Sequence, residues 1–171
     1  MKRKYLMLIF ISIVVVIVDQ ITKIMVTDRF RLGDSVEVIA GFFSLTYVRN
    51  TGAAFGMLNS WDPAYRIPFF ISVPIIALVA ILFVFRKVSD KDFLLSTALS
   101  LVVGGAAGNL IDRVRLNYVI DFFDFYWGVN GPHFAVFNVA DAAISVGVFF
   151  LIIDIFKKDK TTGQANASDT D

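Results

Sequence analysis

The stretch Phe134–Ile153, FAVFNVADAAISVGVFFLII, decides how this chain is read, because it is long and apolar enough to cross a bilayer and yet carries Asp141 within it. A carboxylate at the centre of a spanning helix costs about 2.5–3.5 kcal/mol on insertion scales, so an intramembrane Asp is a candidate functional group by default. The plainer alternative is a structural carboxylate paired with Asn138 or with a neighbouring helix.

Working outward, Tyr5–Val26, Ile67–Phe85 and Phe93–Ile111 are also apolar runs long enough for about 30 Å of hydrocarbon. The composition agrees, with 57% hydrophobic and 18% charged residues, whereas a soluble domain is about 25% charged. The expected fold class is an all-α membrane protein. It is a four-transmembrane-helix bundle in one integral membrane domain, residues 1–160, with no separate soluble domain. The polar segment 161–171 is expected to be a disordered cytoplasmic tail. Neither the net charge of +1 nor any basic run points to nucleic acid, and no nucleic-acid partner is expected.

Charge placement orients the bundle. Lys2, Arg3 and Lys4 precede the first span, Arg86, Lys87 and Lys91 join the second to the third, and Lys157, Lys158 and Lys160 follow the fourth. The positive-inside rule makes all these clusters cytoplasmic, with both termini inside. The connections from about Thr27 to Arg66 and from Arg113 to His133 then face outward. They contain no Lys, hold Trp61 and Trp127, and their Arg residues have nearby acids such as Asp28, Asp112 and Asp121. The N-terminus resembles a secretory signal, but Asp19-Gln20-Ile21-Thr22-Lys23 follows Val18 where a small-residue cleavage site would stand, so an uncleaved first span is expected.

The first outward connection has its own pattern. Phe43 to Val48 alternates with period two, and Val36-Glu37-Val38 lies behind Gly33-Asp34, which predicts a small extracytoplasmic β-sheet. Asn50-Thr51-Gly52 breaks the strand, and Ala53-Ala54-Phe55 is expected to open a short interfacial helix that Asp62-Pro63 ends. Pro68 and Pro74 fall in the second span, which has no ionisable residue and reads as scaffold. Gly104, Gly105 and Gly108 give the third span a face that another helix can approach closely.

Polar residues collect near span ends. Asp19 and Lys23 are spaced i,i+4; Asn109 and Asp112, like Asn138 and Asp141, are spaced i,i+3, so each pair would share a helix face. With the orientation above, these stripes converge toward the outer leaflet, where Asp121 and Asp124 lie in an apolar segment that could dip back into the interface. Two carboxylates crowded into a poorly solvated site cannot both ionise. One keeps its proton, which provides an acid and a base at neutral pH. Spacing alone does not choose between Asp121 and Asp124. The chain has no Cys, which removes disulfides, thiolate catalysis and Cys-ligated metal, and one His with no Cys argues against a zinc site. No metal and no cofactor are expected. The single His133, beside Pro132, reads as a loop residue.

The blocks Asp19-Gln20-x-Thr22-Lys23, Asn50-x-Gly52-Ala53-Ala54-Phe55, Gly108-Asn109-x-x-Asp112-Arg113, Val119-x-Asp121-Phe122 and Phe137-Asn138-x-Ala140-Asp141 together resemble, in order, the signatures of bacterial lipoprotein signal peptidase, signal peptidase II. The resemblance runs from the first span to the last. It implies an aspartic endopeptidase of the bacterial cytoplasmic (inner) membrane. Such an enzyme removes the signal peptide of diacylglyceryl-modified prolipoproteins just before the lipidated cysteine, with its active site toward the outer leaflet. It also implies that Asp121 and Asp141 are catalytic. Asn50, Asn109, Arg113 and Asn138 would then hold substrate or orient the pair, and Asp19 with Lys23 would support the site. Gly52, at the turn after Asn50, is placed with these supporting residues, as is Asp112. The expected partners are lipid-modified prolipoproteins and membrane lipid, and the chain is read as a monomer.

Plainer readings stand beside these. Asp19 and Lys23 can be a structural ion pair, Asp112 and Arg113 can cap the third helix, and Asn50-Thr51-Gly52 can be ordinary strand-end chemistry. A proton-coupled transporter would also use intramembrane Asp, but near the midplane between repeated halves, and no repeat is visible here. A non-enzymatic assembly subunit would use the glycines and charges for packing alone.

Overall fold

A computed structural model describes residues 2–52, 58, 60–128 and 131–168. The elements run α1 (Arg3–Arg29), β1 (Ser35–Ile39), β2 (Phe43–Asn50), α2 (Pro63–Lys87), α3 (Phe93–Leu116), β3 (Val119–Phe125) and α4 (Val139–Ser168). Among the described residues, four helices are long and apolar enough to cross a membrane, α4 over Val139–Lys157. The predicted four-span architecture with a small sheet is present.

The helix α3 is the hub, packing most closely against α1 and α4. Lipid tails supply no hydrophobic drive between helices, so association depends on close van der Waals approach, which small residues permit. The glycines of α3 serve both neighbours. A Cβ on Gly104 would stand 2.8 Å from Val15 Cβ and 3.0 Å from Ser12 Cα of α1, whereas one on Gly105 would run into the Ala140 carbonyl oxygen of α4. On Gly108 it would meet the Asp19 carboxylate at 2.7 Å, so this glycine makes room for a charged group as well as a helix.

By contrast, α2 is peripheral, and Phe85 is its one buried residue. Asp62 and Pro63 begin this helix: the Asp62 carboxylate accepts the Ala64 N–H at 2.8 Å and Pro63 takes the first helical position, where its missing N–H costs nothing. The short interfacial helix expected from Ala53 lies outside the described residues. At the opposite end of α2, Lys4 is only 3% exposed. Its Nζ donates to the Phe85 and Arg86 carbonyls at 3.3 and 3.0 Å and to that of Val88. A residue read only as a topological charge thus satisfies the carbonyl end of a helix.

The sheet is antiparallel with order β1-β2-β3. The apolar segment around Asp121 and Asp124 forms its third strand: Val48 is opposite Asp121 and Ser44 opposite Asp124. The segment lacks alternation because both its faces are largely covered, and such strands read as continuous apolar runs. A register shift between Leu45 and Val48 bends β2 beside the site.

The fourth span also begins later than Phe134. The Phe134 N–H donates to the Phe125 carbonyl at 2.8 Å, and Phe137 exchanges hydrogen bonds with Phe123, so residues 134–137 run beside β3 and the helix starts at Val139. These residues are apolar where they line the open cleft described below, and backbone groups of Phe134 and Phe137 are satisfied by a strand. At the other end, the α4 backbone stays helical to Ser168, which corrects the disordered tail for residues 161–168. Once a helix is nucleated, each further residue adds a hydrogen bond at little cost, and the segment has no proline to stop it. Residues 169–171 lie outside the described residues.

Candidate active site

The start of α4 is the organising element. Asn138 immediately precedes the helix; its Oδ1 accepts the Asp141 N–H at 2.9 Å, while an Asp141 carboxylate oxygen accepts the Asn138 N–H at 3.3 Å. This reciprocal arrangement is a capping box with Asn and Asp in place of Ser and Glu. It places Asp141 in the first helical turn, where the free N–H groups favour negative charge. The i,i+3 spacing of Asn138 and Asp141 therefore records a cap, not a shared helix face.

Asp121 reaches the same place from β3. One of its carboxylate oxygens accepts from Asn138 Nδ2 at 2.7 Å and the other from Asn50 Nδ2 at 3.0 Å. Asn50 is itself fixed: its Oδ1 accepts the Gly52 N–H at 3.0 Å, so Gly52 contributes through its backbone. From α3, Asn109 donates to Asp141 at 2.7 Å, and its Oδ1 accepts from Asn138 Nδ2 and from Lys23 Nζ, both at 3.0 Å. Three asparagines thus hold the two acids in one network. Burial, and after it the negative charge of Asp141, push the Asp121 carboxyl up to about 7, against the opposing hydrogen bonds from Asn50 and Asn138.

Beneath this network lies a buried charge cluster. Lys23 Nζ stands 2.8 Å from Asp19 and 2.9 Å from Asp112, and with Asn109 it uses all its donors. The remaining carboxylate capacity tethers backbone: Asp19 accepts the Ala140 N–H at 3.0 Å and Asp112 the Ile120 N–H at 3.1 Å. The cluster joins α1, α3, α4 and β3 at one point. Asp112 does not cap α3, which runs on to Leu116 and ends at Asn117 in the left-handed conformation. Nor are Asp112 and Asp121 partners for loop arginines, since Lys23 and the asparagines hold them. Arg113 lies over the Phe70 ring of α2 at 5.3 Å.

A cleft of about 570 Å³ opens beside the network, lined by Asn50, Asn109, Arg113 and Asp141 with Val136 and Ile144 on its apolar flank. It combines the Asp141 carboxyl, amide groups and a guanidinium with an apolar wall, and Asp121 lies buried behind Asn50.

Residues 11–157 match the signal peptidase (SPase) II family. The chain belongs to that family. It is 46% identical over 166 residues to the lipoprotein signal peptidase of Geobacter metallireducens, covering 97% of this chain and all of that one. With the lipoprotein signal peptidase of Geobacter sulfurreducens it shares 49% identity over 144 residues, 84% of this chain and 88% of the relative. A bacterial membrane enzyme solved by the in meso method at 2.3 Å superposes with a TM-score of 0.79 at 38% identity, covering 90% of each chain.

Within this signal peptidase II the other acid of β3 faces away. Asp124 accepts from Thr46 Oγ1 at 2.9 Å and pairs with His133 Nδ1 at 2.8 Å, and the His133 ring stacks on Tyr126. His133, expected to be a plain loop residue, ties the loop to the sheet. Gln20, which the sequence singled out for no role, spans Asp19, Asp112 and the Gly108 carbonyl with its Nε2 at 3.2, 3.0 and 3.3 Å. The sequence signal for it was its position three before Lys23, on the same face. Among the described residues, no three His, Cys, Asp or Glu side chains are grouped as metal ligands would be.

Proposed function

We propose that this signal peptidase II is an aspartic lipoprotein signal peptidase: it removes the signal peptide of diacylglyceryl-modified prolipoproteins by cutting just before the lipidated cysteine. The observation that carries the reading is the linkage of Asp121 to Asp141 through Asn138, with Asp141 lining an apolar cleft. Asp141, at the positive end of α4, is the general base that takes a proton from water. The hydroxide formed attacks the carbonyl carbon before the cysteine, while protonated Asp121 gives its proton to the carbonyl oxygen. Collapse of the tetrahedral intermediate expels the cysteine amine, which receives a proton from the pair, and no covalent enzyme intermediate forms. Arg113 and Asn50, which line the cleft, hold the peptide carbonyls on either side of the scissile bond.

The carboxyl of Asp121 at about 7 gives this mechanism a pH signature. Below that value Asp121 holds the proton it must donate; above it the proton is lost and the acid step fails. The pH profile of kcat/KM should therefore fall with a slope approaching about one log unit per pH unit on the alkaline side. A flat profile from about pH 6 to about pH 9 would count against Asp121 as the acid.

The lipid on the substrate supplies affinity. Each buried CH₂ contributes about 0.8 kcal/mol, so acyl chains against the apolar flank of the cleft anchor the cysteine beside the acids. A lipidated precursor should be cleaved at least about a hundredfold faster, in kcat/KM, than a soluble peptide of the same sequence. Equal rates would remove lipoprotein specificity.

The chain works as a monomer in the bacterial cytoplasmic membrane with both termini inside and the site toward the outer leaflet, as the Lys-bearing clusters argue. In intact cells, an impermeant thiol reagent should label a Ser60→Cys variant and spare Ser89→Cys. Labelling only at position 89 would invert the orientation.

A further inference from the structure

A second cavity, of about 390 Å³, lies between the last turns of α1 and α3 and the opposite face of the sheet. Successive residues of a strand point to opposite faces, and the lining follows that rule: Arg49 faces this cavity while Asn50 lines the cleft. Its charge is one-sided. Arg31, Arg49 and Arg115 all line it and are exposed, and among the described residues no carboxylate lies within ion-pair distance of any of them. Asp112 also lines the cavity, but its oxygens are engaged by Lys23, Gln20 and the Ile120 N–H.

The negative end of α3 accounts for an arginine at position 115, but Arg31 and Arg49 are on no helix. Arg49 is held in place: its Nε donates to the Tyr47 hydroxyl at 3.0 Å and its guanidinium lies 4.8 Å from the centre of the Tyr118 ring. Those contacts occupy only part of its five N–H donors. A planar guanidinium fixed this way, with two more converging on the same space, suits the bidentate recognition of phosphate.

The apolar part of the lining identifies the source of that phosphate. Ile24 borders the cavity and continues, one and two turns back along α1, into Ile21 and Ile17, all about half exposed on the membrane-facing surface. We propose that this cavity is a phospholipid site: Arg31, Arg49 and Arg115 hold the headgroup phosphate at the membrane surface while the acyl chains run down α1 over Ile24, Ile21 and Ile17. On the orientation proposed above the lipid is in the outer leaflet. The binding itself depends on neither that orientation nor the peptidase activity. Because Arg49 and Ile120 adjoin Asn50 and Asp121 in the chain, an occupied site also steadies the strands that carry the acid network.

The test uses the purified full chain, stripped of lipid in a non-ionic detergent and titrated with short-chain phosphatidylglycerol, with binding read by native mass spectrometry and by the shift in Tm. Saturable binding with a rise in Tm is expected. Arg49→Gln and Arg115→Gln should each weaken binding about tenfold or more, whereas Arg86→Gln, at the other end of the bundle, should bind as the parent does. Diacylglycerol with the same chains, lacking the phosphate, should bind more weakly by a similar factor. Unchanged affinity in both cavity variants, or equal binding of diacylglycerol, would overturn the proposal. Glycerol phosphate binding as tightly as phosphatidylglycerol would also overturn it, by transferring the site to soluble anions.

Discussion

Asp121→Asn and Asp141→Asn should each lower prolipoprotein cleavage by about three to four orders of magnitude, the range lost when a positioned proton-transfer group is removed from a concerted pair. Asn is nearly isosteric with Asp and keeps one acceptor, so Asp121→Asn can still accept from Asn138 or Asn50 and Asp141→Asn can still accept from Asn109. Stability should therefore change far less than rate. The double variant should be no slower than either single one, because each substitution already disables the same unit. Asp124→Asn should keep most of the activity, since its partners are Thr46 and His133 on the far side of the sheet. Rates measured on one lipidated precursor, with circular dichroism as the folding control, decide the matter. An inactive Asp124→Asn beside an active Asp121→Asn would reverse the assignment within β3.

The spans and the first pair of strands were legible because each repeats a simple signal: apolar length for helices, alternation for β1 and β2. What escaped did so for identifiable reasons. β3 is covered on both faces, and such a strand has no period to detect, while residues 134–137 are a short apolar run that cannot be told from the helix it precedes. The late start of α4 has the same origin. Asp141 stood out by its chemistry and its place near a span end, but Asn-x-x-Asp is equally a helix face and a helix cap, and only the chain entering from β3 distinguishes them. Lys4 was legible as a charge but not as a donor to carbonyls some eighty residues away. Contacts of that separation are fixed by how the helices pack, which composition does not record. The polar stripes of α1 and α3 were legible as stripes. Their convergence on Asn138 needed the structure, and so did the finding that Lys23, not a loop arginine, neutralises Asp112.

Lys23→Met should destabilise the protein by about 3–5 kcal/mol, the loss typical when one member of a buried charge cluster is removed and its partners remain. Asp19, Lys23 and Asp112 are 0%, 1% and 2% exposed, so water cannot replace the ammonium. Both acids lie within 3 Å of its Nζ, and without it they face each other across a space of low dielectric. The damage reaches the acids of the cleft by a definite route. Lys23 donates to Asn109 Oδ1, whose amide nitrogen donates to Asp141, and Asp19 holds the Ala140 N–H in the first turn of α4. The substitution should thus shorten the half-life against thermal inactivation in detergent and also lower kcat in the fraction that remains folded. A further Asp19→Asn change removes one of the two stranded charges while keeping an acceptor for Ala140. It should recover part of the lost half-life but little of the rate, because Asn109 would still lack its donor. Lys23→Arg is not a conservative change, since the ammonium meets three separate acceptors and a planar fork presents its donors in a different geometry. A Lys23→Met protein with the parent's half-life and kcat would show that the cluster supports neither the fold nor the acid network.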